Sequence, residues 1–258
     1  MKIVSWNIAC IPSRFNLFGD PSERIDKIID VLVAENADIL CLQEVFSKNI
    51  KTILTAAFKE KGYHIQQSAS NTLLMNGGLF FASKHEIAHY EEHIFPNSCG
   101  DDSLARKGYQ YAVVNYNQQF ISIINTHMNA DTAFSLTKQP SYIRIQQIDT
   151  IFKTIDQQPC VYNFLCGDLN SDFNSYPILH IKQKLSRKYN YHINKKKFKH
   201  TKHNNSTTSS YIVPEILKKY PYIREQLHPL NPIIIWYMPV YLFKIFHPKY
   251  LVMKLLYT

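Results

Sequence analysis

Short apolar runs that stop abruptly at polar residues set the pattern of this chain. The clearest one ends at Cys166-Gly167-Asp168-Leu169-Asn170, where a glycine, a carboxylate and a carboxamide follow the apolar residues directly. A short apolar run that is bounded by such residues is typical of a buried strand. Functional side chains often lie on the segment that follows such a strand. Taken alone, the motif is equally typical of an ordinary turn, because Asp and Asn are common turn residues.

Three further apolar runs end in the same way. They stop at Ser5-Trp6-Asn7, at Leu42-Gln43-Glu44 and at Asn125-Thr126-His127. Carboxylate and carboxamide oxygens are the ligands that hard cations prefer, and an imidazole can hydrogen-bond an anionic group. The four strand ends together therefore predict a site that holds a hard cation or a phosphate.

Helix and strand signals are interleaved along the first two thirds of the chain. Asp20-Pro21-Ser22-Glu23 supplies an N-cap, a first-turn proline and a capping-box acid, which predict a helix that ends near Asn36. Ser47 predicts the start of a second helix that Gly62 stops, and a third helix is predicted over 142–155. Strands are predicted at about 38–42, 63–68, 79–83, 88–95, 109–116, 120–126 and 160–165, with a hairpin turn at Asn117-Gln118. This interleaving indicates a layered α/β sandwich.

Charge divides the chain into two unequal parts. Residues 1–172 carry 14 Lys/Arg against 18 Asp/Glu, whereas residues 173–258 carry 15 against 2. We therefore predict a main domain over residues 1–190 and a basic, aromatic appendage over 191–258, with a mobile polar linker at 195–210. A basic tail favours an anionic partner such as nucleic acid or a membrane surface, although a merely solvated tail explains the charge equally well.

In this order, the motifs resemble those of the endonuclease/exonuclease/phosphatase superfamily, the divalent-metal phosphodiesterases that include deoxyribonuclease I and neutral sphingomyelinases. The matching stretches are Ser5-Trp6-Asn7, Leu42-Gln43-Glu44-Val45, residues 77–84, Asn125-Thr126-His127 and Gly167-Asp168-Leu169-Asn170. They cover residues 1 to about 176, and the last third of the chain does not match. The resemblance implies a four-layer α/β/β/α sandwich of two mixed sheets flanked by helices.

The same resemblance implies roles for individual residues. Glu44 and Asn7 are the expected ligands of Mg²⁺, for which Mn²⁺ is a possible substitute. Asp168 matches the residue that orients or deprotonates the attacking water, and Asn170 matches one that steadies the phosphate or the metal. His127 matches a position that hydrogen-bonds the phosphate in the transition state. For each residue the alternative is a purely structural role at a strand end.

Two features favour the sphingomyelinase branch of the superfamily over the nuclease branch. Arg106 and Lys107 precede a strand, in a segment similar to the Lys-Gly segment of neutral sphingomyelinases, and we predict that both contact the substrate phosphate. Residues 125–131 and 142–147 resemble that branch's His-containing loop and its Arg- and Gln-bearing helix. Lipid is thus the preferred substrate, and DNA or RNA is the alternative. Phosphate contacts by themselves carry no information on the substrate.

The C-terminal region departs from the family pattern. Family members end in a Ser-Asp-His tripeptide, but this chain has none, and no Asp follows Asp172. Candidate replacements for the missing histidine are His180, His192, His200, His203, His228 and His247. The chain is therefore a divergent enzyme that recruits another histidine, a form with a replaced C-terminus, or a catalytically inactive binding module.

Cellular context and assembly follow from weaker signals. Five irregularly spaced cysteines without a Cys-x-x-Cys pair favour a reducing compartment, and no signal peptide is expected before the first strand, so we predict an intracellular, cytoplasmic monomer. Residues 232–243 are apolar and aromatic but fall short of the ~20 residues of a spanning helix. This segment is expected either to make a peripheral membrane contact or to pack against the main domain.

Overall fold

The fold is described from a computed structural model of the chain. The structure describes residues 1–11, 21–68, 77–103, 105–131, 139–158, 160, 162–172 and 174–188, together with the backbone of four strands in the remaining C-terminal region. No helix within these residues is long and apolar enough to cross a membrane.

The first sheet has six strands, which are β1 (Ile3–Cys10), β2 (Ile39–Val45), β3 (His64–Gln67), β4 (Phe80–Ser83), β10 (Ser206–Ile212) and β12 (Tyr250–Leu256). Their order in the sheet is β10-β12-β1-β2-β4-β3. Strands β1 and β2 are parallel, whereas β2 pairs with β4, and β1 with β12, in antiparallel fashion, so the sheet is mixed.

The second sheet also has six strands, which are β5 (Ile87–Ile94), β6 (Gly108–Tyr116), β7 (Gln119–His127), β8 (Tyr162–Asp168), β9 (Tyr191–Ile193) and β11 (Ile233–Ile235). Their order in the sheet is β5-β6-β7-β8-β11-β9. Here β5, β6 and β7 form an antiparallel meander, and β8 then pairs in parallel with β7.

Helices cover the outer face of each sheet. Helices α1 (Ile25–Glu35) and α2 (Lys48–Glu60) share an apolar cluster with the first sheet. Helices α3 (Gln139–Gln157) and α4 (Tyr176–Lys188) share another with the second sheet. A third cluster fills the space between the sheets and includes Ile3, Ile39, Phe81, Ile123 and Phe164. The predicted four-layer sandwich of two mixed sheets flanked by helices is confirmed.

Most of the predicted elements form within a few residues of their expected bounds. The hairpin at Asn117-Gln118 is confirmed, with both residues in the left-handed region at φ 50° and 62° that suits a tight hairpin turn. The start of the first helix is wrong, because Pro21–Glu23 forms a short 3-10 turn and α1 begins only at Ile25. Its end is right, since Asn36 caps the helix at φ 47°.

The C-terminal region extends both sheets. Residues 206–210, which we predicted to lie in a polar linker, instead belong to β10, which pairs with β12 in parallel register. Strand β12 pairs with β1, and β11 with β8. The domain boundary near residue 190 stays a prediction.

Candidate functional site

Two parallel strand pairs, one in each sheet, position the predicted site residues. In the first sheet Asn7 of β1 stands beside Gln43 of β2, and Glu44 follows. In the second sheet His127 of β7 stands beside Asp168 of β8. The amide of Asn7 hydrogen-bonds Asp168 across the gap, so the ends of the two sheets meet here.

The backbone is distorted where β1 and β2 reach the site. The register between the two strands shifts between Asn7 and Cys10, and Ala9 has a φ of 48°. Glu44 also lies in the left-handed region, at φ 59°. Bulges re-aim side chains, and strained backbone of this kind is concentrated at functional sites. The distortion places the Glu44 carboxylate against the side chain of Asn7.

Two carboxylates share one amide donor at the centre of the site. Asn7 Nδ2 donates to Glu44 Oε1 at 2.8 Å and to Asp168 Oδ2 at 3.0 Å. Asn7 Oδ1 accepts the backbone N–H of Ala9 at 3.1 Å. A role for Asn7 as an oxygen ligand stays a prediction. That role would require the amide to turn over so that its oxygen faces the carboxylates.

Negative charge is crowded at this centre. The Glu44 side chain is 19% exposed. Burial raises its pKa above the ordinary value, the carboxylates of Asp168 and Asp102 add to the rise, and the Asn7 hydrogen bond and Lys107 oppose it. Such crowding disfavours two ionised carboxyl groups side by side. A bound cation would offset the repulsion between these carboxylates.

His127 faces both carboxylates through one ring nitrogen. Its Nε2 lies 3.9 Å from Glu44 Oε1 and 3.8 Å from Asp168 Oδ2, and Lys107 Nζ stands 2.8 Å from the same nitrogen. Burial and the charge of Lys107 lower the pKa of His127 well below its ordinary value, so the ring is neutral.

The contact with Lys107 decides which nitrogen of His127 carries the proton. An ammonium group can only donate, so Nε2 accepts and Nδ1 bears the hydrogen. Nδ1 is buried and has no hydrogen-bond partner among the residues that the structure describes. A direct hydrogen bond from Nε2 to a phosphate would require Lys107 to move and the tautomer to change. The predicted phosphate contact of His127 stays a prediction.

Asp102 belongs to the site but was not predicted from the sequence. Its carboxylate lies 3.3 Å from Lys107 Nζ and accepts the backbone N–H of Ala130. Lys107 Nζ also donates to the Met128 carbonyl oxygen at 3.2 Å. In the sequence, Asp102 stands in a Gly-Asp-Asp-Ser stretch that looks like any polar loop. Only the folded loop shows that it holds the lysine beside His127.

The remaining two predicted residues, Asn170 and Arg106, differ in whether they contact the other site residues. Asn170 bridges the loops after β7 and β8, because its Nδ2 donates to the Met128 carbonyl oxygen at 2.8 Å and its backbone N–H to Asp168 Oδ1 at 2.9 Å. Arg106 is half-buried, and within the described contacts its side chain bonds none of the other predicted site residues. The structure thus assembles the predicted residues apart from Arg106.

Buried carboxamides hold the two sheets together directly beneath the site. Gln43 Nε2 donates to Asn125 Oδ1 at 2.7 Å, from the first sheet to the second. Asn125 Nδ2 in turn donates to the Leu42 carbonyl oxygen at 3.2 Å and to Gln110 Oε1 at 3.0 Å. A buried carboxamide that lost these partners would be costly. The network therefore sets the spacing of the sheet ends that carry Glu44 and His127.

The loop after β7 is held by the third helix. Arg144 Nη1 donates to the Asn129 carbonyl oxygen at 3.0 Å and to Asp131 Oδ1 at 2.8 Å. Gln147 Oε1 accepts the Asn129 backbone N–H at 3.0 Å. The Arg and Gln of the helix that we singled out in the sequence thus support the loop that begins at His127.

The terminal Asp-His pair of the family has no assigned counterpart here. His180 lies on α4 and pairs with Asp149 of α3 at 2.8 Å, in the helical layer outside the second sheet. His192 belongs to β9, where its backbone stands in register with Ile234 of β11. The other candidates, His200, His203, His228 and His247, lie outside the described residues.

Comparison with known proteins decides the family. The sequence model of the Endonuclease/Exonuclease/phosphatase family matches residues 4–215. The chain belongs to this family. The resemblance drawn from the strand-end motifs is thereby confirmed.

Curated members of the family that resemble the chain include sphingomyelinases. Sphingomyelin phosphodiesterase 3 of Rattus norvegicus is 29% identical over 180 residues, which cover 59% of this chain and 27% of that protein. Sphingomyelinase C of Bacillus cereus is 25% identical over 189 residues, covering 66% of this chain and 56% of that protein. The chain thus matches between about a quarter and just over half of the length of these two family members.

Solved structures of the family share the fold. The structure of SmcL is 24% identical, with a TM-score of 0.66 over 72% of this chain and 68% of that one. Beta toxin from Staphylococcus aureus with bound magnesium ions is 21% identical, with a TM-score of 0.65 over 75% and 73%. Zebrafish (D. rerio) TDP2 with a single-strand DNA product is 15% identical, with a TM-score of 0.53 over 70% and 64%. At these identities the likeness shows the fold alone.

Proposed function

We propose that this family member is a Mg²⁺-dependent phosphodiesterase that cleaves phospholipids of the sphingomyelin type. The observation that carries the proposal is the convergence of Glu44 Oε1 and Asp168 Oδ2 on a single amide nitrogen, with His127 Nε2 within 3.9 Å of both oxygens. The named sphingomyelinases among the family members that resemble it favour the lipid substrate.

The donor set fits a hard divalent cation. Among the described residues, no group of three or more His, Cys, Asp or Glu side chains is arranged as a metal cage. Mg²⁺ does not need one, because it keeps several waters and takes only one or two carboxylates from a protein. Glu44 would hold the ion, together with Asn7, and Mn²⁺ would substitute. When bound, the cation supplies charge neutralisation for the phosphate oxygens.

The protein's own groups account for the proton transfer and the positioning. Asp168 is almost buried and is oriented by the hydrogen bonds from Asn7 and from the Asn170 backbone, so its carboxylate is placed to take a proton from water. His127 is neutral and provides a hydrogen-bonding nitrogen at the same point. Lys107 brings a positive charge to this site. Arg106 is proposed, with Lys107, as a contact of the substrate phosphate.

The direct test is the release of phosphocholine from sphingomyelin in detergent mixed micelles by the full chain. We expect turnover with Mg²⁺, a lower rate with Mn²⁺ and none with EDTA. Absence of turnover under all three conditions would contradict the lipid proposal. Plasmid nicking measured in parallel then separates a nuclease from a catalytically inactive binding module.

A nuclease is the second candidate. The basic charge of residues 173–258, with 15 Lys/Arg against 2 Asp/Glu, would suit a nucleic-acid backbone, and the fold also accommodates DNA in the TDP2 structure. Binding of this kind weakens steeply with salt. Metal-dependent plasmid cleavage without phosphocholine release would favour this candidate over the lipid enzyme.

Cation binding has a test that does not depend on turnover. We expect Mg²⁺ at about 100 times its dissociation constant to stabilise the native protein by about 2.7 kcal/mol. Glu44→Gln should lose most of this increment in thermal unfolding. Glu60→Gln, which makes the same change at an exposed position of α2, should keep it. An equal Mg²⁺ response in both variants would contradict the role of Glu44.

Glu44→Gln should also change how the stability of the protein depends on pH. Because the pKa of Glu44 is raised on folding, the ionised side chain costs stability. That cost is absent below the ordinary carboxyl pKa and develops as the pH rises through the raised value. Without metal, Glu44→Gln should therefore be more stable than the natural protein at pH 8 and equal to it near pH 4.

Assembly and location are part of the proposal. We propose that the protein acts as an intracellular, cytoplasmic monomer that contacts membranes peripherally. The segment 232–243, for which either a membrane contact or packing against the main domain was predicted, lies outside the described residues except for β11 (Ile233–Ile235), which pairs with β8. Sedimentation of the full chain and fractionation of cells that produce it are the corresponding measurements.

A further inference from the structure

Three large apolar side chains are exposed on the helices that cover the second sheet. Tyr142 on α3 is 61% exposed, and Tyr176 and Leu179 on α4 are 74% and 48% exposed. The opposite face of α4 is well packed, because Ile178, Ile181 and Leu185 are buried. We call Tyr142, Tyr176 and Leu179 together the α3–α4 rim.

The contacts between the two helices place the rim at one end of the helical layer. The carboxylate of Asp149 on α3 pairs with His180 at 2.8 Å and with Lys184 at 2.6 Å. His180 and Lys184 lie one turn apart on α4. Lys184 Nζ also lies 5.7 Å from the ring centroid of Phe152, one turn further along α3. The helices therefore run side by side in the same direction.

That end is the one at which the site lies. Tyr142 precedes Asp149 by about two turns, and Tyr176 precedes His180 by about one turn, so both lie at the N-terminal ends of their helices. Helix α3 follows the strand that ends at His127, and α4 follows the strand that ends at Asp168. The rim thus flanks the edge of the sheet that carries these two residues.

Basic residues follow the rim along α4. The helix contains Lys182, Lys184, Arg187 and Lys188, and no Asp or Glu. Lys182 and Lys184 lie within about two turns of Leu179, and Lys184 pairs with Asp149 of α3. Exposed aromatic and aliphatic side chains on a helix that carries lysines suit the interface of a bilayer that contains anionic lipids.

We propose that the α3–α4 rim docks the protein on an anionic phospholipid bilayer, with Tyr176 and Leu179 entering the headgroup region. Leu179 favours a bilayer over nucleic acid, because an aliphatic side chain gains by burial in lipid but offers no stacking surface to a base. Docking here would turn the Asp168 end of the second sheet toward the membrane. The inference deepens the proposed lipid-directed function and rests on it.

Vesicle binding by the full chain tests the docking. Co-sedimentation with phosphatidylcholine vesicles that contain about a third phosphatidylserine should exceed that with phosphatidylcholine alone, and should fall as salt is raised. The double variant Tyr176→Ser/Leu179→Ser should bind at least about tenfold more weakly. Phe120→Ser is the matched control, because Phe120 is 54% exposed but lies at the far end of β7 from His127.

Three results would overturn the docking. They are equal vesicle binding by the double variant and the natural chain, an equal loss in Phe120→Ser, and binding that does not depend on phosphatidylserine. A duplex oligonucleotide that binds the chain and displaces it from vesicles equally in both proteins would assign the charged surface to nucleic acid instead.

Turnover measured alongside separates this inference from the proposed function. In detergent mixed micelles, where the substrate is already dispersed, the double variant should hydrolyse sphingomyelin as fast as the natural chain. Vesicle binding that requires Tyr176 and Leu179, without any turnover, would leave the docking standing and reject the catalytic proposal. Turnover on vesicles that is indifferent to the double variant would reject the docking and leave the catalytic proposal intact.

Discussion

Replacing Asp168 with asparagine is expected to lower the turnover number for phosphocholine release by about 10²- to 10⁴-fold, the range that general acid–base catalysis typically contributes. The asparagine oxygen can still accept the Asn170 backbone N–H that holds the loop, at present 2.9 Å from Asp168 Oδ1. It cannot take a proton from water. We therefore expect the loss in kcat rather than in KM, measured by steady-state kinetics on mixed micelles with saturating Mg²⁺.

Asp172 supplies the matched control for this change. It lies in the same loop four residues further on, and its side chain is exposed. Asp172→Asn removes the same charge and should leave kcat within about twofold, in line with the small effects of most surface substitutions. Comparable losses in both variants would indicate a general effect of loop charge and would contradict a specific role for Asp168.

The glycine before Asp168 carries the largest expected effect on folding. Gly167 has a φ of +130°, and a Cβ built on it would lie 2.0 Å from the carbonyl oxygen and 2.7 Å from the nitrogen of Thr126 on the neighbouring strand. Backbone atoms of a paired strand cannot move aside cheaply. Gly167→Ala is therefore expected to lower the free energy of unfolding by about 4 kcal/mol or more, among the largest single-residue effects.

Urea unfolding checks this expectation, with Gly62→Ala as the control. Gly62 also has a positive φ, +79°, but nothing lies within 4 Å of the position its Cβ would take. Gly62→Ala should therefore lower the free energy of unfolding only by the cost of the backbone conformation, about 1 kcal/mol. An equal decrease in the free energy of unfolding in the two variants would show that β8 and β7 lie further apart at Gly167 than the structure describes.

The core of the site was predictable because it depends on local patterns. Strand ends were recognisable in the sequence, and adjacent parallel strands end at the same edge of a sheet, so His127 and Asp168 had to be neighbours once β7 and β8 paired. The meeting of Asn7 with Glu44 follows in the same way from the pairing of β1 with β2. Which lysine would reach His127 was not evident from spacing.

Other features depend on contacts between residues far apart in the chain. Asp102 joins the site only because its loop folds over Lys107, and no local pattern distinguishes it from a turn residue. Residues 206–210 are polar enough to suggest a linker, yet pairing with β12 makes them a strand. Local propensity is a weak guide where a tertiary partner provides the hydrogen bonds.

Taken by itself, the sequence determined the layered α/β architecture, the family and which polar residues stand at the strand ends, because strand periodicity and the residues that follow each strand are local properties of the chain. Only the tertiary structure decided the charge states and orientations within the site. The raised pKa of Glu44, the neutral ring of His127 and the orientation of the Asn7 amide arise from burial and from neighbours that are 20 or more residues away in the chain. Such electrostatic effects depend on distance in space, which the order of residues along the chain does not specify.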